Sequence, residues 1–392
     1  MIGFSKKFAG SVFLVTVAKI LITVFLVPTR IPSDFFDWVN LASNTFSSLQ
    51  QGSLPSIEEH GVYTGMIVFL APFYGIGSTL SASMGLSQSA SWFLLIFFMK
   101  LPIILFDLFA GLLVYLISGR LGSRIPATTA FFLWYLNPYA FYLMEYIGTF
   151  DIVSTTLVLF AILLGMRKAW LGAGLILSFA TILRIYPIFT FPFFALYALK
   201  DKGTLSPYKF LSAFILPVAA ILIIQPFAIV NFVSNISNNP ISETYLLQYF
   251  EGIPRDSTLP STFFLSAVQI LLAAMFWRSN SPLTNLVLAS LLVLLTTTYH
   301  EPYHFTWLIP LLTIYYAVNK PAWTLPFVSV FATACLASLG YNTPLDSILT
   351  YLEAIFAGAF YAVKAVYVAK LNLEAIRPNL LNLRLQQFPR TK

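Results

Sequence analysis

Apolar runs about as long as a bilayer is thick recur along this chain from Val12 to Val368, parted by short polar breaks. A helix needs ~20 mostly apolar residues to cross the hydrocarbon core. By that measure the candidate spans are 8–28, 92–118, 126–143, 150–166, 169–183, 185–199, 208–230, 262–277, 284–298, 304–318, 322–340 and 349–369. The run 62–84 starts apolar, but Pro72 and Gly75 interrupt it and serines follow. The pattern predicts an all-α fold, a polytopic membrane helical bundle with about 12 transmembrane helices. No hydrophilic stretch is long enough for a separate soluble domain. Residues 1–370 therefore read as a single integral-membrane domain with outer loops 29–61 and 231–261, and 371–392 as a basic cytoplasmic tail. The first apolar run has no obvious small-residue cleavage site and reads as an anchor.

Composition agrees. Hydrophobic residues fill 58% of the 392 positions and charged residues only 9%, against roughly 25% charged in soluble domains. The net charge of +7 does not point to nucleic acid, because most lysines and arginines sit in short loops, where they report orientation. If 62–84 is a re-entrant or interfacial segment, then Lys6, Lys7, Arg120, Arg124, Arg167, Lys168, Lys200, Lys202, Lys209, Arg278, Lys320 and the tail share the cytoplasmic side. Only Arg30, Arg184 and Arg255 fall outside. Both termini are then inside. A single Cys335 excludes a disulfide framework and a thiolate metal cluster.

The same assignment places most acids and all three histidines at the outer face, Glu145 among them. In the first outer loop, Phe36, Val39 and Phe46 or Leu41 recur at near-helical spacing, which predicts an amphipathic helix on the membrane surface. Asp34 and Asp37, three apart, share a face of it. Either could act as general base on a lipid-borne hydroxyl, or cap the helix. Lys100 and Asp107 lie two turns apart on one side of a span, where they could form a structural polar pair or line a path. Asp151 opens a helix, where capping competes with substrate binding. Arg184 reads as a lone cation at a break explained by Pro187, suited to a lipid phosphate; Tyr186 follows it. His300, Glu301 and His304 could bind substrate. Their spacing matches no defined metal site, so no metal ligand is assigned, no cofactor is certain and a divalent cation is left open. Asn235 heads a glycosylation sequon in the second outer loop.

Taken in order, these residues resemble the catalytic subunit family of GPI mannosyltransferase I and its archaeal relatives, within the GT-C class of polyprenyl-phosphate-sugar-dependent glycosyltransferases. The likeness covers most of 30–200. Asp37-Trp, Gly52-Ser-Leu-Pro55 and Tyr63-Thr64 follow the family's first-loop motifs. Lys100 and Asp107, Asn137-Pro138 with Gly148 and Asp151, and Arg184-Ile-Tyr-Pro187 follow its later ones. A late aromatic stretch, Tyr303 to Pro310, resembles another. Phe35 stands where the family's motif carries an acid, and Ile182 where it carries a histidine.

The resemblance implies an inverting hexosyltransferase moving a hexose, expected to be mannose, from a polyprenyl or dolichyl phosphate sugar to a lipid-linked or glycan acceptor. Transfer would occur at the outer or lumenal face of the plasma membrane of a prokaryote or the endoplasmic reticulum of a eukaryote. Asp37 would be the base, and Arg184 with His300 or His304 would stabilise the departing phosphate. Membrane lipids and the two substrates are the expected partners, and nucleic acid is not. The rival classes are a lipid or oligosaccharide flippase, which would use a charged groove, and a non-catalytic subunit of a membrane glycosylation complex.

Overall fold

A computed structural model describes residues 5–25, 33–53, 64–184, 186–201, 203, 205–224 and 306–319. The described residues are helical, with no strand among them. In chain order the helices are α1 (Lys6–Phe25), α2 (Ser33–Gln50), α3 (Thr64–Ser83), α4 (Gln88–Arg120), α5 (Ala127–Tyr135), α6 (Pro138–Phe141), α7 (Asp151–Met166), α8 (Trp170–Leu183), α9 (Phe191–Lys200), α10 (Ser206–Ile224) and α11 (Ile309–Asn319). A π-helical turn, Tyr142–Ile147, follows α6, and a 3₁₀ turn, Tyr186–Thr190, precedes α9. Gly65–Ser83 and Gln88–Arg120 are long and apolar enough to cross a membrane.

The centre of the bundle is α4, 33 residues long, which is about 50 Å of helix. The helices α3, α5, α7 and α11 pack around it. Contacts along α4 give each neighbour's direction. Phe8 stacks on Tyr115 at 5.0 Å while Lys19 reaches Asp107, so α1 runs antiparallel to α4. The Thr156 hydroxyl donates to the Phe106 carbonyl at 3.0 Å, and Phe160 meets Phe109 at 5.6 Å, so α7 runs parallel to it. Ser154 bonds the Ala180 carbonyl, turning α8 back. Tyr197 meets Trp170, turning α9 back again. The amide of Arg124 donates to the Ala317 carbonyl at 2.8 Å, fixing the end of α11.

These directions sort the charges. Lys6 and Lys7, Arg120, Arg124, Arg167, Lys168, Lys200 and Lys209 stand at one end of the bundle. Asp37, Asp151 and Arg184 stand at the other.

Three sequence expectations change. Within the run 62–84, Thr64–Ser83 is one continuous helix through Pro72, not a broken segment, and it packs as a hairpin on α4, with Gly77 against Leu95 and Phe69 against Phe106. The predicted span 126–143 is not one helix. Its first piece, α5, is nine residues, about 14 Å, against the ~30 Å of a hydrocarbon core. It stops because Pro138 has no amide to continue the ladder. The Asn137 side chain then accepts from the amides of Tyr139 and Ala140, starting α6 afresh. The surface helix α2 buries Phe35, Val39, Ala42 and Thr45. Its inner face is thus centred on Phe35 rather than Phe36.

Candidate active site at the acidic end of the bundle

Asp151 is the first residue of α7 and is fully buried. The chain reaches it through Gly148, whose φ of 96° ends the π-helical turn in a left-handed conformation. A Cβ there would lie 2.5 Å from Cδ2 of Phe35, so glycine is required twice over, by backbone and by space. Both Asp151 oxygens are engaged. Arg184 Nη2 donates to Oδ2 at 2.9 Å, and Trp307 Nε1 donates to Oδ1 at 2.9 Å. Trp307 also lies parallel to Tyr186, with centroids 4.0 Å apart. The Tyr186 hydroxyl meets Thr155 Oγ1 at 3.0 Å.

Arg184 is therefore not a lone cation. It sits in extended backbone between α8 and the 3₁₀ turn. A helix continued through this stretch would drive the Pro187 ring into the Leu183 carbonyl. The guanidinium is buried, pairs with Asp151, and lies over the Trp38 ring at 5.1 Å. Trp38 belongs to α2, so the ion pair touches the surface helix that carries Asp37.

On α2 itself, Asp37 is exposed, two residues beyond the buried Phe35 and hence on the other side of the helix. Asp34 stands in the first turn. The helix is held by Phe35 stacked on Phe150, by Trp38 edge-on to Phe150, and by Phe36 stacked on Trp92 of α4 at 5.5 Å.

A second buried cluster lies behind this helix. Lys19 Nζ pairs with Asp107, sits 2.7 Å from Glu145 Oε1 and donates to the Tyr135 carbonyl at 3.1 Å. Lys100 Nζ donates to the Glu145 carbonyl at 2.7 Å and lies 5.5 Å over the Phe35 ring. Two buried cations and two buried carboxylates thus share one cluster, as burial of charge demands. The expected Lys100–Asp107 pairing is corrected: the ion pair of Asp107 is with Lys19, because Lys100, two turns away, is drawn to the carbonyl edge of the π-helical turn. Glu145, expected at the outer face, is fully buried. Lys19 drew no attention in the sequence, although a cation inside the first apolar run was itself a signal that a buried acid faces it.

His300, Glu301, His304 and Asn235 lie outside the described residues. Among the described residues, no group of three or more His, Cys, Asp or Glu could hold a metal ion. No protein-family model matches this chain, and none of the curated proteins compared with it matches.

Proposed function

We propose that this chain is an integral membrane glycosyltransferase that moves a hexose from a polyprenyl-phosphate sugar to a hydroxyl of a lipid-linked or glycan acceptor at the outer face. The observation that carries the reading is the placement of Asp37. It is an exposed carboxylate on a surface helix, at the bundle end that holds Asp151 and Arg184, while the basic helix ends lie opposite. That polarity fits acid–base chemistry at one membrane face and positive residues at the other. Asp37 removes the acceptor proton as the hydroxyl attacks the anomeric carbon. The configuration inverts, and the lipid phosphate leaves with the bonding electron pair. Arg184, held by Asp151 and Trp38, meets that phosphate without reorganising, as stabilisation of developing charge requires. Asp151 acts through Arg184 rather than on the sugar.

The test is transfer by purified chain in vesicles, with radiolabelled polyprenyl-phosphate mannose and glucose as donors. Asp37→Asn keeps the side chain's size but cannot take the proton. It should lower turnover by about 10²–10⁴-fold at unchanged folded yield. Asp34→Asn should do much less. If Asp34→Asn is the inactive variant and Asp37→Asn is normal, the base is misassigned.

A further inference from the structure

Where the α3–α4 hairpin turns, the surface holds a cleft of about 770 Å³ lined by Ser78, Ser81, Gln88, Ser89, Ser91 and Trp92 among others. Among the described residues, no ionisable side chain lines it. Three of its four serine hydroxyls donate to backbone carbonyls. Ser78 donates to the Gly75 carbonyl at 3.1 Å, Ser81 to the Ser91 carbonyl at 3.4 Å, and Ser91 to the Leu86 carbonyl at 3.4 Å. With those protons committed to backbone, each oxygen keeps only lone pairs for a ligand. A lining without a cation gives phosphate no counter-ion, and the free lone pairs suit a neutral ligand that brings its own O–H donors. Gln88 adds an amide with both donor and acceptor capacity. Trp92, 36% exposed, adds an aromatic surface against which the C–H face of a saturated ring packs. Such a mostly apolar wall with a few placed polar groups is the usual make-up of a small-molecule site.

Through Trp92 the cleft borders α2. Trp92 stacks on Phe36 with ring planes 13° apart, and the next residue on α2 is Asp37.

We infer that this cleft seats the acceptor, and that the part seated is an uncharged, hydroxyl-rich ring, a sugar or a cyclitol, with one hydroxyl directed toward Asp37. The inference rests on the reading of Asp37 as base. It assigns the two substrates to separate places: the anionic donor beside Arg184, the neutral acceptor ring against the hairpin.

The full-length chain in detergent is titrated with methyl α-mannoside and with myo-inositol, and binding is read by saturation-transfer NMR. Gln88→Leu at the exposed rim should weaken binding about fivefold, the effect of one lost hydrogen-bonding group. Trp92→Leu should abolish the signal. Trp92→Phe keeps the stack on Phe36 and should retain most of it, which separates loss of contact from loss of fold. Equal binding by wild type and Gln88→Leu, absence of binding by wild type, or displacement of the probes by inorganic phosphate overturns the inference. Cleft-dependent binding without transfer from either polyprenyl-phosphate sugar counts against glycosyl transfer alone. Transfer whose acceptor KM is unmoved by Gln88→Leu counts against the cleft alone.

Discussion

Asp151 gives one oxygen to Arg184 and the other to Trp307, so its carboxylate is occupied before any substrate arrives. Removing one member of a buried pair leaves an uncompensated charge, at a cost of about 3–5 kcal/mol. Asp151→Asn and Arg184→Leu should each depress folded yield and thermal stability by an amount in that range. The double variant Asp151→Leu with Arg184→Leu should recover much of the stability, since apolar replacements of buried pairs are often tolerated. It should not recover donor binding, read as the KM for polyprenyl-phosphate sugar. If the double variant restores both, Arg184 is structural and does not meet phosphate. Both residues were legible as candidates because each breaks an apolar stretch. Their partnership was not, because it joins positions 33 apart in sequence, and Trp307 lies 156 away from Asp151. No local periodicity reports such a contact.

At the level of elements, the reading of α2 shows what periodicity can and cannot settle. A helix in the first outer loop follows from apolar spacing, and Ser33–Gln50 is one. Whether Phe35 or Phe36 faces inward was decided by a partner, the bare backbone at Gly148, which only the fold brings close. The break at Arg184 was legible from Pro187, and that within 126–143 had the same kind of marker in Pro138, yet the apolar run concealed it. The partner of Lys19 was not legible, because Asp107 lies 88 positions away in sequence. Its role is testable between elements. Lys19→Met leaves Asp107 buried without its counter-ion and should lower the amount of folded protein sharply, as should Asp107→Leu. The pair of changes together should restore α1 to α4 and bring yield most of the way back. Exchanging Lys100 and Asp107 should rescue nothing, because they are not each other's counter-ions. Detergent-solubilised yield and melting midpoint decide between these outcomes.

Across the whole molecule, the described basic helix ends gather away from Asp37, and most of that polarity was readable from loop charge alone. What loops could not show is how that end is fastened. Asp201, 10% exposed at its side chain, accepts from Trp170 Nε1 at 2.8 Å and Ser206 Oγ at 3.1 Å, and pairs with Lys168 at 2.9 Å. These bonds join the α7–α8 turn to the α9–α10 turn. The Trp170 hydrogen bond, followed by that from Lys168, holds the Asp201 carboxyl down at about 2, from an ordinary value of 3.8. A group whose folded value is depressed stabilises above its unfolded value and loses that contribution as pH falls through the folded one. The clip should therefore be intact above about pH 4 and weaken toward pH 2. Amide protection in 167–170, 205 and 206, measured against each amide's intrinsic exchange rate, should fall over that window in wild type. In Asp201→Asn protection should be low and independent of pH throughout. A flat wild-type profile would mean that the clip does not hold these turns.

The distance in sequence between Arg184 and Trp307 also sets an order of events in time. The two donors to one carboxylate leave the ribosome about 120 residues apart, on the order of ten seconds at usual rates of synthesis. During that interval Asp151 can find its arginine but not its indole. The nascent chain therefore passes through a stage in which the helices up to α10 can assemble while the carboxylate is half satisfied. Arrival of α11 ends that stage, so the site closes late in synthesis, and the chain's own C-terminal half governs when it does.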